Sequence, residues 1–322
     1  MGYRRYRIRN PPQNAEVTLL TRGNQEPETR FFHVASDGSL ILEDITLNGG
    51  LTDEGGGAIN NVGTLTINSS KLSRNSGTGD GVAGALWNRG TATIIASTLS
   101  HNDAEGCTIW SHGTLTLIDS TIMNNTGRFD TGLCISGRTI IENSIITHND
   151  GGAGPLTIND GLMTVSDSTI SHNRADGFSG AGLSIRNSMV TVSDSNISHN
   201  IGIFDGGGGL SIFDSDVTVR NSTISHNTSD KGGGILHDGG GAVILEDSIL
   251  ALNTATTNES PDCSGAVITR GATYIGNPAG CTILTTCRVD ETTSLTMPGS
   301  PALWAGRNGI LVRGFGGQTP PR

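Results

Sequence analysis

A nine-residue segment returns at a fixed interval in this chain and constrains its fold more than any other feature. Residues 165–173 read VSDSTISHN, and close copies follow at 192–200 and at 219–227, so the two steps are equal. Self-similarity at a fixed period is the signature of a solenoid, in which every repeat packs only against its neighbours. The chain is therefore predicted to coil rather than to form a conventional globular core.

Three positions recur in every coil. A serine lies five positions before the closing asparagine and an isoleucine or leucine lies three before it, and the coils follow one another at nearly equal intervals. Stacked amides hydrogen-bond from coil to coil, and asparagine tolerates left-handed turns, so the asparagine column predicts a structural ladder. Its members are Asn75, Asn102, Asn125, Asn149, Asn173, Asn200, Asn227 and Asn253.

Each coil is predicted to contain three short strands. Alternation of side chains along a strand sorts one coil into an inner and an outer set. The predicted inner set is Leu183, Ile185, Val190, Val192 and Ile197, and the predicted outer set is Ser184, Thr191 and Ser198. Glycines before the first strand predict a tight bend with positive φ.

Strands that return in register stack about 4.8 Å apart in parallel sheets. We therefore predict an all-β parallel β-helix of about nine coils over residues 31–258. Residues 1–30 are predicted to form a partial coil or an N-terminal cap, and residues 259–322 a C-terminal cap and tail. Coil ends are open sheet edges, so an uncapped end favours end-to-end self-association.

Charge and composition narrow the range of partners. The net charge of −10 argues against nucleic acid as a partner. No run of apolar residues is long enough to form a transmembrane segment. The first ten residues are charged and no apolar segment follows them, so no signal peptide is expected in this chain. Aromatic residues make up only 4% of the chain, which does not favour a groove lined with stacking rings.

Two sets of residues resemble a known group of proteins. Residues 56–59 (GGAI), residues 63–67 (GTLTI) and the Ser-Thr-Ile-Ser-x-Asn close resemble bacterial right-handed parallel β-helix proteins with repeats of the polymorphic outer-membrane-protein type. Residues 260–265 (SPDCSG) and 298–302 (PGSPA) resemble the end of choice-of-anchor Q β-helix proteins. The resemblance spans about residues 15–305 and implies a right-handed coil, secreted or on the surface of a bacterium. Those proteins usually carry an export signal and further sequence ahead of the coils, which this chain does not show.

The resemblance also bears on the five cysteines. Cys263 and Cys281 match the two cysteines of the tail motif, which implies a disulfide between them, with Cys287 as a competing partner. Cys107 and Cys134 lie on adjacent coils. Aligning residues 107–109 with 133–135 places them on opposite strand faces, so free thiols are expected there. A shift of one residue in that alignment would reverse the expectation.

Polysaccharide cleavage is the rival to a purely structural role. Pectin-hydrolase-like β-helix enzymes carry Asn-Thr-Asp, Asp-Asp, Gly-His-Gly and Arg-Ile-Lys motifs, and none occurs in this chain. Lyases of this shape need clustered aspartates for Ca²⁺ and a basic residue beside them. Asp167 and Asp194 share a column, but Ser69 and Ala96 share it too, which indicates a solvated row. Asp214 and Asp216, the other candidate pair, lie in a turn. We expect no cofactor, and bound Ca²⁺ is the alternative.

A histidine precedes the closing asparagine in several coils. The four on consecutive coils are His148, His172, His199 and His226. Imidazoles about 4.8 Å apart could share a metal ion. Arg74, Asn124 and Leu252 fill the same column elsewhere, so a surface stack without metal is the preferred interpretation. Like charges held in register are expected to make the row harder to protonate.

These observations favour a non-catalytic, secreted or cell-surface rod, adhesin-like or binding a polysaccharide or cell-surface glycan. The alternative is a polysaccharide lyase or glycoside hydrolase of the pectin-lyase-like fold with an unfamiliar site. No catalytic residue can be assigned from the motifs, and an enzyme is the less favoured of the two.

Overall fold

The chain folds into one coil of short strands. The computed structural model describes residues 5–9, 18–21, 29–79, 81–128, 132–152, 154–177, 180–204, 206–257 and 260–285. The strand pairings in these ranges are parallel and join equivalent residues of successive coils, so the prediction of an all-β parallel β-helix is confirmed. One face of the stack holds 11 strands, more than the nine coils predicted. Within the described ranges, no helix has the length and apolar character needed to cross a membrane.

Each full coil contributes to four faces, which we number in the order the chain visits them. Face one and face two form one sheet of 21 strands, while face three has 11 strands and face four has nine. The prediction of three strands per coil was wrong, since a full coil has four. The fourth strand was missed because it is very short. It follows the closing asparagine directly, in the segment where the repeats differ in length.

The first two faces carry the longer strands. Face one consists of Phe32–Val34, Ile59–Asn61, Leu86–Asn88, Ile109–Ser111, Leu133–Ile135, Leu156–Asn159, Leu183–Arg186, Leu210–Phe213 and Ile235–Asp238. Face two consists of Arg5–Arg9, Ser39–Glu43, Thr64–Asn68, Thr91–Ile95, Thr114–Ile118, Arg138–Glu142, Leu162–Ser166, Met189–Ser193, Asp216–Arg220, Val243–Glu246 and Cys281–Thr285. The strand Cys263–Arg270 runs through both faces.

The other two faces carry the shorter strands. Face three consists of Thr18–Thr21, Ile45–Asn48, Lys71–Ser73, Thr98–Ser100, Thr121–Met123, Ile145–Thr147, Thr169–Ser171, Asn196–Ser198, Thr223–Ser225, Ile249–Ala251 and Tyr274–Ile275. Face four consists of Leu51–Thr52, Ser76–Gly77, Asp103–Ala104, Thr126–Gly127, Asp150–Gly151, Arg174–Ala175, Ile201–Gly202, Thr228–Ser229 and Thr254–Ala255. The strands at both ends therefore continue the stack on either side of residues 31–258.

A single apolar core fills the coil along its length. The inner positions predicted from alternation are all buried, with at most 1% of each side chain exposed. They are Leu183, Ile185, Val190, Val192 and Ile197. Each coil buries only a handful of such side chains, so the stability of a coil depends on the coils above and below it.

Two of the three predicted outer positions were wrong. Ser184 is 2% exposed and Ser198 is 5% exposed. The turn that leads into face one folds back over that strand, where Gly180 lies against the backbone of Leu183. Ser198 is a small side chain in register with two other serines, so its neighbours cover it. Thr191 is half-buried.

The glycines before face one mainly serve the close approach of two backbones. Gly209 does not have a left-handed φ, but a Cβ built on it would lie 2.5 Å from the carbonyl oxygen of Gly234 in the next coil. Only glycine allows the two backbones to come this close. The expectation of positive φ is therefore wrong for Gly209, although Gly232 does take a φ of 60°.

Candidate functional site

The asparagine column forms a continuous internal ladder. From Asn75 to Asn227, each side-chain amide donates to the side-chain oxygen of the asparagine in the next coil, at 2.9–3.0 Å. The same oxygen accepts the backbone N–H of the preceding asparagine at 2.9–3.1 Å. All eight side chains from Asn75 to Asn253 are buried. Because their donors and acceptors are paired inside the coil, these residues stabilise the fold and are not available to a ligand.

The left-handed residue at this corner is the one before the asparagine. His148, His172, His199 and His226 have φ of 55–58°. The expectation that asparagine itself supplies the left-handed turn was wrong. Asparagine, aspartate and histidine are several times more frequent than other non-glycine residues at positive φ, which gives the histidine column a backbone cause.

The four imidazoles stack along the rod axis. Successive ring centroids lie 5.0, 4.9 and 4.9 Å apart, and neighbouring planes differ by 2°. Burial lowers the pKa of His172 below its ordinary value, and positive charge on His199 and His148 lowers it further. His172 is therefore harder to protonate than a lone surface histidine.

This stacking does not suit a shared metal ion. Two nitrogens on one Zn²⁺ lie at most about 4.2 Å apart, because each Zn–N bond is about 2.1 Å. Parallel rings in register keep equivalent nitrogens as far apart as the ring centroids, which is 4.9 Å. Among the described residues, no group of three or more His, Cys, Asp or Glu side chains is placed to hold a metal ion.

The aspartates considered for Ca²⁺ lie at two different corners. Asp167 and Asp194 have φ of 49° and 50° at the corner between faces two and three. Asn221 donates to Asp194 at 3.4 Å in that row. Asp214 and Asp216 lie at the corner between faces one and two, and each accepts a backbone N–H from the next coil, from Gly240 and Ala242 respectively. The two pairs of carboxylates therefore belong to separate surfaces.

Four of the cysteines form two disulfides. Cys263 and Cys281 are joined, with 5.2 Å between their Cα atoms. Cys107 and Cys134 are also joined, with 5.9 Å between their Cα atoms, so the expectation of free thiols was wrong. Ile109 pairs with Leu133, which places Cys107 in the bend before its strand, where alternation assigns no face. Cys287, the competing partner, lies outside the described residues.

Two of the three tryptophans come together on face one. Trp87 and Trp110 are register partners on adjacent coils, and both are half-buried. The Arg89 guanidinium lies 4.0 Å from the centroid of the Trp87 ring. The His112 ring stacks on Trp110 with 5.7 Å between centroids. We call these four residues the aromatic cluster.

The aromatic cluster adjoins a groove along the corner between faces one and two. The Nδ1 atom of His112 lies 2.6 Å from the hydroxyl of Ser136, which is the first residue of the groove wall. Burial lowers the pKa of His112, and the Arg89 guanidinium lowers it further. The groove has a volume of about 680 Å³ and passes over successive coils to Gly241. We call it the corner groove.

One inserted residue per coil creates the corner groove. Ile135 pairs with Ile158, and Arg138 pairs with Leu162, so the corner of the second coil holds one more residue than that of the first. The additional residue is Asp160, which takes a φ of 54°. Asn187 and Asp214 occupy the same position in the next two coils, both with a φ of 46°. Each insertion widens the corner and turns a polar side chain to the groove.

The walls of the corner groove combine apolar and acidic side chains. Leu162 and Met189 are register partners and are 50% and 56% exposed. Asp160, Asp214 and Asp216 line the same groove, with Arg138 at the end nearest the aromatic cluster. This mixture can bind the apolar face of a ligand and its polar groups at once.

Neither the aromatic cluster nor the groove was found from the sequence, although a signal for both is present. Trp87 and Trp110 are as far apart in the chain as Asn102 and Asn125, which close two adjacent coils. The interval from Asp160 to Asp214 likewise equals the two steps of the ladder from Asn173 to Asn227. Each of these spacings matches the length of the coils in that part of the chain. The two tryptophans therefore fall in one column of the stack, and the two aspartates fall in another.

A family comparison agrees with this architecture. The model of the right-handed β-helix region matches residues 81–247 and 131–294, which together cover more than half of the chain. No curated protein and no solved structure matches the chain. The matched residues include the corner groove and most of the asparagine ladder. The chain therefore belongs to the right-handed β-helix family.

Proposed function

We propose that this chain is a non-catalytic rod that binds a polysaccharide in the corner groove. The observation that carries the proposal is the aromatic cluster, which adjoins that groove through the contact between His112 and Ser136. A tryptophan ring offers a large, rigid apolar face at low entropic cost, and the apolar face of a sugar ring packs well against such a surface. Trp110 is half-buried and the His112 ring stacks on it, which supports a ring position set by the fold.

The shape of the groove favours a linear polymer over a compact ligand. Its walls come from four successive corners and from Gly241, so it extends roughly 19 Å at the spacing of stacked strands. Corners repeat at intervals of about 4.8 Å, which is close to the length of one sugar residue. A stiff coil keeps these subsites in line without a cost of ordering on binding.

We propose further that the rod works outside the cell, secreted or on a bacterial surface. Two disulfides support this location, because such bonds persist in oxidising compartments and are rare in the cytosol. The resemblance of residues 260–265 and 298–302 to the tails of choice-of-anchor Q proteins supports the same location. An adhesin-like role would follow if the polysaccharide belongs to another cell.

A polysaccharide array followed by calorimetry tests the proposal. We expect the wild-type protein to bind at least one soluble polysaccharide and Trp110→Ala to lose at least about tenfold in affinity. Ile249→Ala is the matched control, because Ile249 is also exposed (47%) but lies on face three. Failure of every polysaccharide to bind, or equal binding by wild type and Trp110→Ala, would contradict the proposal.

Hydrolysis is the second candidate, and one observation favours it. Asp160 and Asp214 line the groove two coils apart, about 9.6 Å at the spacing of stacked strands. Inverting glycosidases hold their two carboxyl groups roughly 6.5–9.5 Å apart, so the pair lies at the edge of the usable range. Asn187 stands between them, where such an enzyme would hold a water. We rank this candidate second because one carboxylate, Asp214, is already bound to the backbone of Gly240.

A further inference from the structure

The corner groove has a charge of its own, distinct from that of the aromatic cluster. Three carboxylates and one guanidinium line it, and the guanidinium of Arg138 lies at one end. Asp160, Asp214 and Asp216 therefore make the middle of the groove acidic. The chain as a whole carries a net charge of −10, so no surrounding excess of cations offsets this field.

The carboxylates keep acceptors available for a ligand. The side chain of Asp160 has no hydrogen-bond or ion-pair partner in the described part of the chain. Asp214 and Asp216 each use one oxygen to accept a backbone N–H, at 2.6 and 2.9 Å. A carboxylate has two oxygens and can accept about four hydrogen bonds, so each retains free acceptor capacity. These two bonds also fix the direction of both side chains.

Two adjacent coils of the groove each combine an apolar side chain with an oxygen acceptor. Leu162 follows Asp160 in one coil after a single glycine, and Met189 follows Asn187 in the next after a single serine. A polymer lying along the axis would therefore meet an apolar side chain and an acceptor on these two coils, and the carboxylates of Asp214 and Asp216 on the next coil. A ligand suited to this arrangement carries apolar ring faces and several hydrogen-bond donors, preferably charged, along its length.

We propose that the corner groove selects an amine-bearing polysaccharide, a linear polymer of amino sugars with free ammonium groups. This inference rests on the proposed function and names the ligand class of the same site. Ammonium groups donate charge-assisted hydrogen bonds to Asp160, Asp214 and Asp216, and the sugar rings pack on Leu162 and Met189. Polymers of uronic acids would bring carboxylates against carboxylates, and the groove disfavours them.

Calorimetric titration with three oligosaccharides of equal length tests the inference. The probes are oligomers of glucosamine, N-acetylglucosamine and galacturonic acid. We expect the glucosamine oligomer to bind most tightly, the N-acetylated oligomer at least about tenfold more weakly, and the uronate not at all. Raising the salt concentration should weaken the first interaction and leave the second nearly unchanged.

Charge-neutralising variants locate the effect. Asp160→Asn with Asp214→Asn and Asp216→Asn should remove the preference for glucosamine, while asparagine keeps the left-handed backbone at positions 160 and 214. Asp167→Asn with Asp194→Asn is the matched control, because these exposed residues also have positive φ but lie at the other corner. The single variant Asp160→Asn breaks no side-chain bond in the described structure, so it remains informative if the triple variant unfolds.

The outcomes separate the two proposals. Equal affinity for glucosamine and N-acetylglucosamine oligomers, unchanged in Asp160→Asn, would overturn the ligand class and leave the polysaccharide site standing. Absence of binding to all three oligosaccharides would overturn the ligand class, and failure of every polysaccharide on the array as well would overturn both proposals. Tighter binding of a lysine-rich peptide than of the glucosamine oligomer, lost in the same variants, would also overturn the inference and make the groove a peptide site.

Discussion

The side-chain amide of Asn253 donates to the carboxylate of Asp262 at 2.9 Å, and this bond ends the asparagine ladder. Asp262 is 1% exposed, and its second oxygen accepts the backbone N–H of Asn277 at 2.6 Å. A carboxylate accepts on both oxygens and donates nothing, so it closes a chain of amides that a further asparagine would extend. Asp262 thus links the last full coil to the C-terminal strands.

Removal of this terminator should loosen one end of the rod only. Asp262→Ala leaves the buried backbone N–H of Asn253 without its acceptor, which costs about 2 kcal/mol. The side-chain amide of Asn253 keeps the carbonyl oxygens of Ile224 and Ala251 as acceptors. Because each coil contacts only its neighbours, faster amide hydrogen exchange is expected over residues 249–277 and unchanged exchange over residues 165–200. Asp262→Asn keeps one acceptor oxygen, so its exchange rate over residues 249–277 should lie between those of the wild type and Asp262→Ala. Uniformly faster exchange along the rod would show that the coils unfold as one unit.

A charge placed inside the coil should be far more damaging than one placed outside. Ile197 is fully buried, and Ile197→Asp is expected to lower the unfolding free energy by roughly 4 kcal/mol or more. Asn196 is exposed on the same strand, and Asn196→Asp should change it by less than about 0.5 kcal/mol. Denaturant titration of both variants measures the difference. Similar losses would mean that the face assignment of this strand is wrong.

Thiol counting tests the two disulfides. The chain has five cysteines, and two disulfides leave one thiol, so the denatured unreduced protein should react with one equivalent of a thiol reagent. Replacing Cys107 and Cys134 by serine should lower the unfolding free energy by about 2–4 kcal/mol, because their bond closes a loop in the unfolded chain. Three reactive thiols instead of one would show that one of the bonds does not form.

The histidine row should make stability depend on pH. The pKa of His172 is lowered in the folded chain from its ordinary value of 6.5, so the unfolded chain binds more protons at and below this pH. Stability should therefore fall as the pH drops through 6.5, and the penalty should be absent above it. His172→Asn keeps the left-handed corner and should reduce the fall in melting temperature on acidification.

The control for this effect is His101→Asn. His101 lies in the same column with a φ of 57°, but its neighbours there are Arg74 and Asn124 rather than imidazoles. This variant should follow the wild-type pH profile. An identical response of the two variants would show that stacking does not cause the pH dependence.

The sequence predicts the coil well because the coil is built from repeated residues. Asn173 and Ile197 occupy columns that the same residue types fill in every coil, and the structure places both inside. Alternation fails for Cys107 because this residue lies in the bend before its strand, where there is no period of two. It fails for Ser184 because a turn covers the strand in which this residue lies. A turn that folds back over face one depends on the whole coil and cannot be read from a single strand.

The candidate site was harder to predict because it arises where the repeat is broken. Asp160 is an insertion of one residue. Aligning the coils on their closing asparagines shows that the coils differ in length, but it does not show where in a coil the extra residue lies. Trp87 and Trp110 are rare residues in columns that vary freely, so no repetition marks them. The two tryptophans lie side by side because their spacing in the chain equals the length of one coil in this region, which is also the spacing from Asn102 to Asn125. This coil length is a property of the stack and cannot be read from either tryptophan alone.

Product analysis after prolonged incubation tests the central claim most directly. The oligosaccharide that binds most tightly would be held with the wild-type protein, with and without Ca²⁺, and its chain length followed by mass spectrometry. A non-catalytic groove predicts that the ligand binds, depends on Trp110 and is recovered at its original length. Steady shortening of the ligand or formation of unsaturated ends, abolished by Asp160→Asn, would contradict the account and identify an enzyme.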